Sequence, residues 1–260
     1  MKLNKEEIFS YWNNRAEIDS SMTSTTNDIW MRKIEQGYVK GLIGELRPQS
    51  VLDSGCGDGI TTLDCAKIFT EIKFQGEDFS NNMIKNAKSN LKKQNPKLNN
   101  IQFKVNNILD LDYRNSFDLC YTTRCIINLH TWQDQKRALH RLQSALIPGG
   151  YLLLIENFEH SQKKFNKIRN SFGLPSIKIR DHNKFLKQKP FKSFMADYFR
   201  LIKCQNISSL YYLMSRVVYS KICQETSTLP DYDDIHHRLA SALPFCGDFG
   251  PTKAFLYQKL

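Results

Sequence analysis

Nine consecutive residues, Val51-Leu52-Asp53-Ser54-Gly55-Cys56-Gly57-Asp58-Gly59, are the part of the chain richest in chemical meaning. An apolar run enters a turn in which every second residue is glycine, and a turn of that kind brings backbone close to a ligand. A carboxylate about 20 residues further on, Asp78, completes the setting in which nucleotide-type sites occur. A dinucleotide loop spaces its glycines G-x-G-x-x-G to seat a pyrophosphate on a helix N-terminus. Here the order is G-x-G-x-G, with Ile60 where the third glycine would stand. Asp53, just ahead of the loop, would repel a pyrophosphate and favours a ligand with a positive group. Proton transfer falls to histidine, whose ordinary pKa lies near neutrality; the six are His130, His140, His160, His182, His236 and His237.

These groups need elements to hold them, and the periodicity supplies an alternation. Strands are expected at 50–53, 72–76, 101–106, 117–122 and 151–156, and helices at 60–69, 81–93 and 132–146, the last with Ala138, Leu139, Leu142 and Leu146 at helical spacing. That order implies a parallel sheet with helices on both faces. Ile147-Pro148-Gly149-Gly150 reads as a helix stop and a tight turn before the fifth strand. Residues 1–46 read as helical, with Ile8, Tyr11 and Trp12 on one face and a polar break at 20–27 before a second helix from Asp28. Beyond 158 come a basic, helix-prone stretch to about 198, a strand at 199–207, an irregular segment at 210–251 and a last strand at 253–259. Three parts follow: an N-terminal cap of 1–46, a ligand-binding core of 47–158, and 159–260, which returns to the sheet and carries basic insertions over the substrate.

Ligands of open parallel sheets lie beyond the carboxyl ends of the strands. His130, after the fourth strand, His160, after the fifth, and His182, in the basic stretch, are therefore eligible as bases, and His182 is the first choice. His140 is expected on a solvated helix face and His236-His237 in a polar loop. Arg124 and Asn128 are expected to orient an acceptor, with Glu156 and Asn157 at the same mouth.

The 260 residues are 41% apolar and 24% charged, ordinary globular usage that excludes a disordered or collagen-like chain. No apolar run is long enough to span a membrane, and the first residues lack the apolar core of a signal peptide, so a cytoplasmic location is expected. Seven cysteines without a C-x-x-C pair point to neither a disulfide framework nor a zinc site. The net charge of +11 is concentrated: residues 160–221 carry 14 Lys and Arg against 2 Asp and Glu. Such a segment attracts anions, which makes an acidic small molecule or a nucleic acid its candidate partner.

The loop Leu52-Asp53-Ser54-Gly55-Cys56-Gly57-Asp58-Gly59 resembles the Leu-Asp-x-Gly-Cys-Gly-x-Gly pattern of the class I S-adenosylmethionine (SAM)-dependent methyltransferases of small-molecule type. Gly76-Glu77-Asp78-Phe79-Ser80-Asn81-Asn82-Met83 is similar to their Gly-x-Asp-x-Ser-x-x-Met, and Leu146 to Gly150 to their Leu-Lys-Pro-Gly-Gly. The resemblance implies a Rossmann-like, seven-stranded, mostly parallel α/β sheet of order 3-2-1-4-5-7-6 under a helical cap, with SAM as cofactor. It implies that Gly55, Cys56, Gly57 and Gly59 form the cofactor loop beside Asp53. Asp78 would accept both ribose hydroxyls, and Phe79, Met83 and Ile108 would flank the adenine. Asn107 falls where the family often has Asp reading the adenine amino group, keeping an acceptor oxygen without the charge. Thr123 and Arg124 would belong to the cofactor site as well, while Arg15 and Thr26 would hold the methionine carboxylate. The tract Gly173-Leu174-Pro175 to His182-Asn183, with Tyr211 to Tyr219, is similar to a subgroup associated with bacterial surface-sugar and secondary metabolism, and the expected reaction is O-methylation of a small hydroxylated acceptor that is anionic, sugar-like or a secondary metabolite. Two other readings stay open: an RNA methyltransferase using the basic segment with Phe191, Phe194 and Tyr198, and a SAM-binding module without catalysis.

Overall fold

Alternate side chains of the central strands enter two different cores. Val51, Leu119, Tyr121, Leu153 and Ile155 belong to one; Leu52, Cys120, Leu152 and Leu154 belong to the other. Period-two alternation with both sets apolar requires a sheet covered on both faces. The computed structural model describes residues 3–18 and 23–260. Among these, seven strands form one sheet: β1 (Ser50–Ser54), β2 (Lys73–Asp78), β3 (Ile101–Val105), β4 (Phe117–Thr123), β5 (Leu146–Asn157), β6 (Phe199–Asn206) and β7 (Thr252–Lys259). Their order is β3-β2-β1-β4-β5-β7-β6, parallel from β3 to β5, with β7 antiparallel to both β5 and β6. This is the expected Rossmann-like α/β architecture.

On one face lie α2 (Ile29–Leu46), α3 (Ile60–Ile68) and α4 (Asn81–Gln94), contributing Val39, Ile43, Leu63, Ile84 and Ala87 to the first core. On the other lie α5 (Trp132–Ala145) and α7 (Gln188–Ala196), whose Leu139, Leu142, Phe191 and Met195 fill the second. Phe191 is fully buried against Phe158 and Phe255, so it is a core residue and not part of an RNA-binding aromatic stripe. Between these two, α6 (Glu159–Ser171) follows β5. The first helix, α1 (Lys5–Ile18), lies along α4, where Ser80 Oγ donates to Asn13 Oδ1 (2.6 Å) and Asn86 Nδ2 to the Ala16 carbonyl (2.8 Å).

Two expectations change. The turn at 147–150 is a bulge inside β5: Leu146 already pairs with Phe117, and the register then jumps to Leu119 opposite Tyr151. The segment expected to be irregular is largely helical, as α8 (Ser209–Leu213), a π turn (Met214–Val218), α9 (Tyr219–Glu225) and, after a loop, α10 (Ile235–Ser241). The π turn inserts an extra residue into the helical repeat, so the buried side chains before and after it do not share one 3.6-residue stripe. The start of the polar break, residues 20–22, falls outside the described residues. No helix among the described residues is long and apolar enough to cross a membrane.

Candidate active site

The order β3-β2-β1-β4 reverses direction between β1 and β4, and the crevice at such a reversal is where open α/β sheets bind ligands. The glycine loop lies there. Gly55 N and Cys56 N both donate to the Glu77 carbonyl (2.7 and 2.9 Å), which joins the loop to the end of β2. Gly55 has φ +83°, and a Cβ added to it would lie 2.5 Å from Cys125 Sγ; only glycine fits. Gly57 N donates to Asp78 Oδ2 (3.0 Å) and Ser80 N to Asp78 Oδ1 (2.9 Å). Ser80 also caps α4 by accepting from Met83 N (3.2 Å). One short stretch thereby fixes Asp78, Phe79 and Met83 together. Gly59 differs from its expectation: it begins α3 with a Cβ position against Ala87 and Phe103, turned to the packing side, and does not line the cavity.

A cavity of about 430 Å³ opens above these residues. Its β1 and β2 side is formed by Asp53, Gly55, Cys56, Gly57, Asp78 and Phe79, and it continues over Met83, Asn107 and Ile108. Thr26, Thr123 and Arg124 also line it. Burial raises the Asp53 carboxyl to about 7 despite hydrogen bonds from Thr62 Oγ1 (2.5 Å) and Tyr121 OH (2.7 Å). Burial likewise raises Asp78 to about 6, against the pull of its two backbone donors. The Cys56 thiol is pushed well up by burial and then by the same carboxylates. Neither Asp53 nor Asp78 has an ion-pair partner among the described residues. The Asn107 side-chain Oδ1 accepts from Leu109 N (3.0 Å) and caps the short turn that follows, which leaves the side-chain NH2 as the group with free hydrogen-bonding capacity.

Beyond β4 and β5 the wall changes sign. Arg124 stands at φ +53°, a conformation costing a non-glycine residue roughly 1–3 kcal/mol, and its guanidinium reaches Glu35 Oε2 at 2.9 Å. Its Nε is buried with no hydrogen-bond partner among the described residues. Glu35, buried in α2, is raised by desolvation, an effect the Arg124 charge opposes. Arg216, on the π turn, pairs with Asp28 and lies over the Tyr232 ring at 4.7 Å. Asp28 accepts from Met31 N (3.0 Å) as the cap of α2 and from Tyr211 OH (2.5 Å). His182 is buried, stacked on Tyr11 at 4.3 Å and edge-on to Trp12. It lines the cavity together with His130, Asn128 and Asn157.

Several expected residues lie elsewhere. Arg15 does not line the cavity; it ties the loop before α2, donating to the carbonyls of Thr23 (2.7 Å) and Ser24 (3.0 Å). His160 is exposed and off the cavity. Glu156 faces away from the mouth, its carboxylate accepting from Thr122 Oγ1 and the N–H groups of Cys125, Ile126 and Ile127. His140 is half-buried against Phe194 and Tyr198. His236 and His237 open α10, whose cap is Asp234, and His237 is buried with Nδ1 2.9 Å from Tyr211 OH.

The sequence reading missed Arg32, Glu35, Tyr212, Arg216 and Tyr232, all on the cavity. Arg32 pairs with Asp58 at 2.5 Å, and Ser24 Oγ donates to the same carboxylate (2.7 Å), fastening the cap to the glycine loop. A signal was present for two of them: Arg32 and Glu35 interrupt the buried stripe Met31, Val39, Leu42 and Ile43 of a helix foreseen from Asp28, and a charge on a core-facing stripe marks a site or an ion pair.

Comparison with known proteins agrees with this geometry. A profile described as a methyltransferase domain matches residues 47–209. The chain is 30% identical over 142 residues to an uncharacterized methyltransferase of Schizosaccharomyces pombe, covering 53% of this chain and 46% of that one. It is 29% identical over 161 residues to the demethylmenaquinone methyltransferase of Lactococcus lactis, covering 60% of each. The chain thus matches about half to three fifths of the length of these relatives. Magnesium protoporphyrin IX methyltransferase of Synechocystis, solved with bound S-adenosylhomocysteine (SAH), shares the fold with a TM-score of 0.65 at 12% identity, over 99% of this chain and 100% of that one. With the profile covering more than half of its length, the chain belongs to the methyltransferase domain family.

Proposed function

We propose that the protein is a class I SAM-dependent methyltransferase that methylates the hydroxyl of a small acidic acceptor. The observation that carries this reading is one cavity with two unlike walls, carboxylates at β1 and β2 and guanidinium groups with tyrosine rings beyond β4 and β5. The first wall fits the cofactor: two carboxylates, raised by burial and without an ion-pair partner among the described residues, face the space where a sulfonium and an ammonium would bring positive charge. When bound, SAM supplies a methyl group already activated by its positive sulfur.

Asp78 has oxygen lone pairs beyond those used by Gly57 N and Ser80 N, and these accept the ribose hydroxyls. Phe79, Met83 and Ile108 wall the adenine, and Asn107 donates to a ring nitrogen through its NH2. Thr26 Oγ1 accepts from Asp28 N (3.1 Å), so its hydroxyl proton points outward to the methionine carboxylate, and Arg32 takes there the part expected of Arg15. On the far side His182 accepts the acceptor's proton, His130 stands as the second base, and Arg124 orients the acceptor. Positioning supplies most of the rate in an in-line displacement, and α1 closes over the site through Ile8, Phe9 and Trp12.

The cavity, about 430 Å³ in all, lies within the roughly 300–1,000 Å³ usual for small-molecule pockets, which supports a small acceptor. Incubation with methyl-labelled SAM and, in parallel, a mixture of small hydroxy acids and total tRNA tests the reading. Label is expected in the hydroxy acid fraction; transfer to tRNA alone overturns the assignment.

A further inference from the structure

We infer that the acceptor carries its carboxylate on an aromatic ring, and that Arg216, Arg124 and the Tyr212 hydroxyl receive that carboxylate; the inference rests on the methyl-transfer reading above. Arg216 is built to present donors. Asp28 holds Nη2, the His237 ring lies 3.4–3.5 Å from Nη1, and the rings of Tyr232 and Tyr212 lie 4.7 and 5.6 Å from the guanidinium, which fixes its plane and leaves the Nε–H without a hydrogen bond among the described residues. The π turn that carries it widens the helix at this point, and single π turns recur where a side chain is aimed at a ligand.

Arg124 approaches from β4. Glu35 occupies one of its terminal nitrogens, while the Nε–H is buried without a partner among the described residues. A buried guanidinium donor left unmade is costly, and a planar carboxylate is the group that satisfies it. Tyr212 lines the same cavity with its ring 5.6 Å from the Arg216 guanidinium, feels the charges of both arginines, and its hydroxyl makes no hydrogen bond among the described residues. Asp28 and Glu35 each offset one arginine, and Lys178 at the mouth adds a charge that neither offsets. An anion therefore enters a region of net positive potential. Tyr212, Tyr232 and Phe185 line the cavity around these groups, and aromatic side chains of that kind suit a flat ring better than a flexible chain.

The test uses the protein saturated with SAH and titrated calorimetrically with 4-hydroxybenzoate and, separately, with its neutral isostere 4-hydroxybenzamide. The acid is expected to bind at least tenfold more tightly than the amide. In Arg216→Met that preference is expected to vanish while SAH affinity is retained, and in Tyr212→Phe, a change that keeps the ring in place, the acid is expected to lose several-fold. Equal affinities for acid and amide, or no binding of the acid to SAH-loaded protein, overturn the carboxylate assignment alone. Failure of SAH itself to bind overturns the reading beneath it. Should Arg216→Met not fold, the acid and amide comparison on the unaltered chain and Tyr212→Phe still decide.

Discussion

Asp78 bears two loads, since the carboxylate that would hold the ribose also ties Gly57 N and Ser80 N. Charge-assisted hydrogen bonds are worth about 1.5–3 kcal/mol each, so Asp78→Asn, which loses the charge and one acceptor oxygen, is expected to weaken SAM by about a hundredfold. Its melting temperature at pH 8 should not fall, because the native charge is itself held at a cost there. Calorimetric titration beside a thermal melt reads both. His182 separates a base from a latch. His182→Phe keeps a ring against Tyr11 but cannot take a proton, so kcat is expected to drop about a hundredfold or more with SAM affinity intact. Unchanged turnover would pass the role to His130. Residues such as Asp78 were legible because loop spacing and strand ends are local in sequence. Arg216 was not, because its meaning comes from Asp28, 188 positions away.

At the scale of elements, what the periodicity revealed and what it hid have physical causes. The strands β1 to β5 were legible because apolar runs punctuated by glycine and polar turns are local patterns. The helical segment after β6 was hidden by its π turn. Helix α10 was hidden by an inverted pattern, since Ile235 and Leu239 are exposed while His237 is buried beside Tyr211. That histidine is held below its usual pKa by burial, then by the neighbouring Arg216. All of these converge on Asp28, which caps α2 and holds Tyr211 and Arg216. In Asp28→Asn the cap oxygen survives but an NH2 faces the guanidinium. Breaking a buried pair from one side costs about 3–5 kcal/mol; a urea-unfolding midpoint measured against the unaltered chain checks this, and a loss under about 1 kcal/mol would mean that α2 and the π turn are not coupled through Asp28.

Over the whole molecule, the basic excess read from the sequence divides. Most lysines of 160–221 are spread over the exposed faces of α6, α7 and β6, and from that segment Lys178, Arg180 and Arg216 reach the cavity. Which of the 14 basic residues would turn inward depends on tertiary contacts, and no local pattern marks it. The buried carboxylates set the response to pH. Asp53 at about 7, Asp78 at about 6 and Glu156 at about 7 lie above the ordinary carboxylate range, each chiefly through burial. The folded state thus binds these protons more tightly than the unfolded chain. Their contribution to stability is full below pH about 4 and is lost as pH rises toward 7, and a carboxyl held one pH unit above its unfolded value contributes about 1.4 kcal/mol. Without cofactor, the protein is expected to melt at a lower temperature at pH 8 than at pH 5.5. Added SAM should raise the melting temperature more at pH 8, because its positive groups answer the ionised carboxylates. Equal melting temperatures would mean that these carboxyls do not hold their protons.

The most direct measurement of the central claim is a crystal structure of the protein with SAH. Both ribose hydroxyls should lie at hydrogen-bond distance, roughly 2.5–3.0 Å, from the Asp78 carboxylate, with the sulfur facing the space between Arg124 and His182. Density for the nucleoside anywhere other than between the glycine loop and Asp78, or an Asp78 carboxylate turned away from the ribose, would contradict it.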